Sequence, residues 1–158
     1  DLPVLFVCEN NRFSCFTHLS KRQPESRKIF QMVSAMGIES FECDGNDVIS
    51  VYNMANQITK KIKNGEGPKF LELHTDRWLE HCGPNYDDDL GYRSKIEIKK
   101  SRENDPIKIL EKRFPELSSS KKNSIKKELN LLTEQAFVFA ENSNFPPEKE
   151  AYTNLYSQ

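Results

Sequence analysis

Short strand-like runs alternate with helix-period segments along the first half of this chain, and that alternation narrows its possible folds more than any other feature. Residues 4–8, Val-Leu-Phe-Val-Cys, form a continuous apolar run that suits a strand buried on both faces, as in the middle of a parallel sheet. Between residues 25 and 36, Ile29, Phe30, Val33 and Met36 recur at helical spacing, and Gly37 supplies a stop. A short strand over residues 41–43 is closed by Asp44-Gly45. Asn46 or Asp47 then caps a second helix with Val48, Val51, Tyr52, Ala55, Ile58 and Ile62 turned inward. Lys60, Lys61 and Lys63 suit the negative end of that helix. Gly65-Glu66-Gly67-Pro68 ends it, and residues 69–75 read as a further strand. Strand, helix, strand, helix, strand is the rhythm of a parallel α/β sheet with flanking helices. A central strand so near Asp1 is expected to have lost neighbouring strands upstream.

The character changes at Asp76. Residues 76–92 lack periodicity and read as a long loop, a length that in compact domains usually serves a function. Within it, Asp87-Asp88-Asp89 reads as a solvated acidic stretch, since no calcium-loop spacing follows. Asp105-Pro106 opens a short helix. Residues 118–120, all serine, cap a longer one carrying Ile125, Leu129, Leu132, Ala136 and Phe139 on one side. After Asn144 the chain reads as an extended aromatic tail lying across another surface. The expected division is an α/β part over residues 1–94 and a helical C-terminal extension over residues 95–158.

Composition excludes several function classes. The chain has 158 residues, enough for one domain with a core, and a net charge of -1, so no basic field argues for nucleic acid. At 36% hydrophobic and 30% charged residues it has a large exposed surface or packs against a partner. No apolar run reaches membrane-spanning length and no signal-peptide pattern opens the sequence. Cys8, Cys15, Cys43 and Cys82 form no CxxC pair and read as reduced thiols in a cytoplasmic protein. His74, His81 and Cys82 lack the paired spacing of a zinc site. Gly65-Glu66-Gly67-Pro68 lies between a helix and a strand, the wrong order for a phosphate loop.

Ligands of parallel α/β sheets gather beyond the carboxyl ends of strands, where Glu9-Asn10-Asn11-Arg12-Phe13 would sit. An asparagine oxygen and a main-chain carbonyl two residues later suit Mg²⁺, although an Asn pair after a strand is more often a plain turn. The wider pattern shifts that balance. Leu2-Pro3-Val4-Leu5-Phe6-Val7-Cys8-Glu9-Asn10-Asn11-Arg12-Phe13 resembles the segment closing the thiamine diphosphate motif of the α subunits of 2-oxo acid dehydrogenase E1 components. The resemblance continues through Asp44-Gly45-Asn46-Asp47-Val48, Gly65-Glu66-Gly67-Pro68, Leu71-Glu72, Thr75-Asp76-Arg77-Trp78-Leu79-Glu80-His81, Gly91-Tyr92-Arg93 and Asp105-Pro106-Ile107. Each motif is weak alone, but they follow in order from residue 1 to about residue 110.

The resemblance implies a partial thiamine diphosphate-binding fold. Asn11 would bind Mg²⁺ through its side chain and Phe13, where the family usually has tyrosine, through its main-chain carbonyl. Arg77 and His81 would approach the cofactor diphosphate. The family's Gly-Asp-Gly, with its aspartate ligand, would lie upstream of Asp1. Asp76 replaces a common tyrosine. Glu80 sets a negative charge beside a phosphate contact, and Cys82 removes a hydroxyl that kinases modify in some members. The implied activity is oxidative decarboxylation of a 2-oxo acid with acyl transfer to the lipoyl domain of E2, in a heterotetramer with the E1 β subunit; none of these residues stands out as a catalytic acid or base. A non-catalytic interaction fragment and a transketolase-like thiamine diphosphate enzyme are the alternatives.

Overall fold

The computed structural model describes residues 2–153. It divides into two compact units, Asp1–Phe114 and Pro115–Gln158. The first is α/β. After β1 (Leu5–Asn10) comes a small antiparallel hairpin of β2 (Phe13–Ser14) and β3 (Thr17–His18), then α1 (Ile29–Ala35), β4 (Glu39–Asp44), α2 (Val48–Lys63) and β5 (Lys69–His74). The main sheet is parallel with the order β1-β5-β4, so the last strand in sequence is the central one.

Alternation along the strands assigns the two faces. Leu71 and Leu73 of β5 lie on one face with Leu5, Phe41 and Cys43, against Ile58 and Ile62 of α2, and Val51 and Met54 pack round them. Glu72 points to the other face, where the first turn of α1 lies: the Phe30 main-chain N–H donates to its Oε2 at 3.0 Å. The spacing of Val51, Met54, Ile58 and Ile62 is the helical period that makes one side of α2 a core face. Asp47 is its N-cap, accepting from the Ile49 and Ser50 main chain. At the other end Asn64 and Gly65 turn the chain, with Gly65 at φ +83°.

Among the described residues β1 pairs with β5 alone, and Phe6 and Val7 are about half exposed at 49% and 52%, so the outer flank of residues 4–8 is open, as expected. Other expectations need correction. Val48 and Tyr52, expected inward, are exposed at 46% and 65% because they lie off the stripe formed by Ile58 and Ile62. The flanking helix begins only at Ile29, and the second strand is longer than residues 41–43.

The stretch after β5 is not structureless. Leu79 and Tyr86 form an antiparallel bridge and Asp88–Leu90 makes a 3-10 turn. α3 (Lys95–Glu103), which hydrophobic periodicity did not disclose, starts on a reciprocal cap: Glu97 N–H donates to the Ser94 hydroxyl, and Ser94 N–H to the Glu97 carboxylate. α4 (Pro106–Arg113) starts where Asp105-Pro106 indicates, with Asp105 as cap. Arg113 then clasps the Asp47 carboxylate with two bonds, of 3.0 and 2.8 Å, tying the end of α4 to the start of α2.

The second unit contains α5 (Ser119–Asn142), capped by Ser118, with Leu129, Leu132 and Phe139 more than half exposed. The expected extended tail is interrupted by a 3-10 turn at Glu148–Tyr152, and Phe145 is 96% exposed. All four cysteines are free. No helix among the described residues is long and apolar enough to cross a membrane.

Candidate functional site

Asn10 and His74 are register partners at the carboxyl ends of β1 and β5, so the loops that follow leave the sheet side by side. The first loop is shaped by its own asparagines. Asn10 Oδ1 accepts the Arg12 N–H and Asn11 Oδ1 accepts the Phe13 N–H, both at 2.9 Å. These consecutive side-chain turns hold Arg12 at φ +67° and lead into the β2–β3 hairpin. On its other edge Asn10 donates at 2.6 Å to Glu72, a carboxylate only 2% exposed.

Asp76 opens the second loop and joins it to its surroundings. Its carboxylate accepts from Arg12 at 2.9 Å, Asn46 at 3.3 Å and Asn104 at 3.2 Å, linking the ends of β1, β4 and α3. The next residue, Arg77, turns toward the hairpin. Its Nη2 donates to the Cys15 carbonyl at 2.9 Å and to the Tyr92 hydroxyl at 3.0 Å. Tyr92 donates in turn to Asp87 at 2.5 Å and stacks edge-on against Phe13 and Phe16. Arg93 bonds both the Asp87 carboxylate and the Arg77 carbonyl. Arg77 Nη2 also lies 3.6 Å from Asp87.

The result is a ring of half-buried Arg77, Tyr92 and Arg93 closed round the buried Asp87 and packed against the hairpin. Asp87 is 4% exposed, so the acidic run is not simply solvated: Asp87 is the ring's anion, and Asp88 pairs with Arg93 and Arg102. Burial pushes the Asp87 carboxyl up, but the Tyr92 hydroxyl and the charges of Arg93 and Arg77 outweigh it and hold the group below the usual carboxylate range. Burial, and then the bond to Asp87, raise the Tyr92 phenol, so it stays a donor. Two guanidinium nitrogens of Arg77, Nε and Nη1, are buried without an acceptor. A buried cation with uncapped N–H groups is suited to an anion.

His81 lies elsewhere. The Leu79–Tyr86 bridge and the 2.9 Å bond from Glu80 N–H to the Asn85 carbonyl make a narrow turn with His81 and Cys82 exposed at its tip. The Glu80 carboxylate folds back within this turn, accepting the Asn85 side chain at 2.8 Å. Its charge is therefore engaged locally. Among the described residues, no hydrogen bond or ring contact joins His81 to Arg77, Asn11 or Phe13. The structure brings Phe13 and Arg77 together through Tyr92, with Asn11 one turn away, and leaves His81 on a separate projection.

Sequence reasoning named Arg77 but missed the residues that hold it. Gly91-Tyr92-Arg93 was a visible signal, but only the fold shows that both side chains converge on Asp87. The Asn10–Glu72 bond depends on strand pairing, which no local pattern displays.

The sequence profile of a family described as the dehydrogenase E1 component matches residues 1–149. The chain belongs to the dehydrogenase E1 component family. It is 31% identical over 158 residues to the pyruvate dehydrogenase E1 component subunit alpha of Rickettsia felis, covering 98% of this chain and 47% of that protein. The subunit of the same name from Rhizobium meliloti is 30% identical over 158 residues, covering 98% and 44%. The 2-oxoisovalerate dehydrogenase subunit alpha of Bacillus subtilis is 26% identical over 160 residues, covering 99% and 48%. This E1 chain thus spans about half the length of the curated relatives it matches.

Proposed function

We propose that this E1 chain is the carboxyl-side part of an α subunit in a thiamine diphosphate-dependent 2-oxo acid dehydrogenase, where it provides the diphosphate and Mg²⁺ end of the cofactor site. The observation that carries this reading is Arg77: a largely buried guanidinium, fixed by its neighbours at the carboxyl ends of two parallel strands, with two nitrogens lacking an acceptor. Residues 1–94 are the cofactor-binding part and residues 95–158 the helical extension.

The residues present fit the cofactor. Arg77 offers charge-assisted bonds to a diphosphate, and His81, exposed on its turn, offers a second donor. Asn11 Oδ1 already accepts one main-chain N–H and has a second lone pair for Mg²⁺, which favours hard oxygen ligands. The Phe13 carbonyl would supply another oxygen independently of its side chain. Asp87, Tyr92 and Arg93 orient Arg77. When bound, thiamine diphosphate supplies the electron sink that lets a 2-oxo acid lose carbon dioxide. The protein's part here is binding, orientation and charge. The E1 β subunit completes the site in a cytoplasmic heterotetramer, and the acyl unit passes to the lipoyl domain of E2.

The test is activity of the complete α subunit assembled with its β partner. Pyruvate and branched-chain 2-oxo acids are supplied with either a lipoyl domain or an aldose as acceptor. Thiamine diphosphate-dependent acyl transfer to the lipoyl domain is expected. Transfer to the aldose alone, or no cofactor dependence, contradicts the proposal.

A further inference from the structure

A group of ligand-type side chains gathers on the α1 face of the sheet, next to the first loop through the Asn10–Glu72 bond. Glu42 and Glu72 are register partners on the parallel strands β4 and β5, and His74, two residues beyond Glu72, points to the same face. His74 Nε2 lies 2.7 Å from Glu42 Oε2, and the three ligand atoms of Glu42, Glu72 and His74 lie within 4.8 Å of one another. We propose that Glu42, Glu72 and His74 form a second metal site, for a divalent cation of the zinc class, which staples the edge strand β4 to the central strand β5.

The charge around Glu72 favours a cation here. Its carboxylate is 2% exposed yet forms no ion pair among the described residues; its partners are two neutral donors, the Asn10 amide and the Phe30 main-chain N–H. A second carboxylate, Glu42, stands in register beside it. A buried negative charge next to another is costly unless a positive charge answers both. One divalent cation does so.

The geometry also suits that ion. Asn10 and Phe30 each bond one oxygen of Glu72 and so fix the inner ligand, as outer-shell partners do in metal sites. Glu42 and His74 are 42% and 45% exposed and can adjust, which gives the ion an entry path from solvent. Tetrahedral coordination with bonds of about 2.0–2.2 Å asks the 2.7 Å His74–Glu42 pair to open round the fixed Glu72, and three protein ligands leave one position for water. An imidazole ligand favours zinc-class ions over Mg²⁺ and Ca²⁺, which prefer oxygen alone. Cys8 lies in register with Glu72 on the other side of β5, but the ligand atoms that gather within 4.8 Å of one another are those of Glu42, Glu72 and His74.

Calorimetric titration of the 158-residue chain with Zn²⁺, after stripping with chelator, tests the proposal. One saturable site is expected, undisturbed by excess Mg²⁺. His74→Ala and Glu42→Gln, both at exposed positions, should each weaken it by about tenfold or more, or about 1.4 kcal/mol. Asn11→Leu should leave it unchanged, separating this site from the proposed cofactor site. Substitution with Co²⁺ should give a visible spectrum without thiolate charge transfer. Wild-type affinity in His74→Ala or Glu42→Gln, a thiolate band, or the absence of saturable binding overturns the proposal.

Discussion

Replacing Asp87 with alanine should unsettle the whole second loop. The Asp87 side chain is 1% exposed and receives Tyr92 and Arg93 directly, with Arg77 at 3.6 Å; Arg93 and Arg77 are themselves only 8% and 17% exposed. Alanine leaves two largely buried guanidinium groups facing each other without their anion. Removing one partner of a buried ion pair costs about 3–5 kcal/mol. That is a large share of the roughly 5–15 kcal/mol by which a domain is stable. At roughly 3–6 °C per kcal/mol for a unit of this size, the melting temperature should fall by about 10–30 °C. Asp87→Asn keeps the shape and an acceptor for Tyr92 but loses the charge, so a smaller loss of about 1.5–3 kcal/mol is expected. Guanidinium denaturation followed by circular dichroism measures both, with the midpoint moving and the slope unchanged. If Asp87→Asn lay within about 0.5 kcal/mol of wild type, the size of an ordinary surface substitution, the ring would not be holding the loop.

The same group predicts a pH dependence. The folded-state pKa of Asp87 lies below its unfolded value of about 3.9, so its contribution is complete above that value and fades as pH falls through the lower, folded one. Melting curves over the acid range should show a steeper loss in wild type than in Asp87→Asn; parallel curves would contradict this. His81→Ala in the assembled enzyme should weaken thiamine diphosphate binding by about 1.5–3 kcal/mol with little change in melting temperature, since His81 is exposed on its turn. Lower stability with unchanged affinity would make it structural. The 158-residue chain alone should bind the cofactor weakly even with Mg²⁺, because Asn11 and Phe13 supply only part of an octahedral shell. Tight one-to-one binding in a calorimeter would show a self-contained site.

The βαβ rhythm was legible because core strands and the stripe of α2 declare themselves locally: Leu71 and Leu73 need an apolar face, and Ile58 and Ile62 recur at helical period to meet it. Strand order was not: β5, the last of the three in sequence, lies between β1 and β4, and pairing is a property of two strands. α3 escaped because Lys95–Glu103 is mostly charged, although Ser94 and Glu97 carry the spacing of a capping box. Asp87 looked solvated because acidic neighbours in sequence usually are. Its burial arises only when the turn at residues 79–86 returns the chain to Arg77. Asp76 reads in sequence as a departure from a family tyrosine, yet in the fold it gathers Arg12, Asn46 and Asn104.

The central claim is that the residues following β1 hold the Mg²⁺ of a cofactor whose diphosphate meets Arg77. Thiamine diphosphate affinity of the assembled α/β enzyme, measured against Mg²⁺ concentration for wild type and Asn11→Leu, tests it most directly. The side-chain oxygen lost in Asn11→Leu now accepts only the Phe13 N–H, so the fold should survive with a local loosening of that turn. The account predicts that wild-type affinity rises steeply with Mg²⁺ and that Asn11→Leu loses this dependence at an unchanged melting temperature. The same Mg²⁺ dependence in both proteins would contradict it.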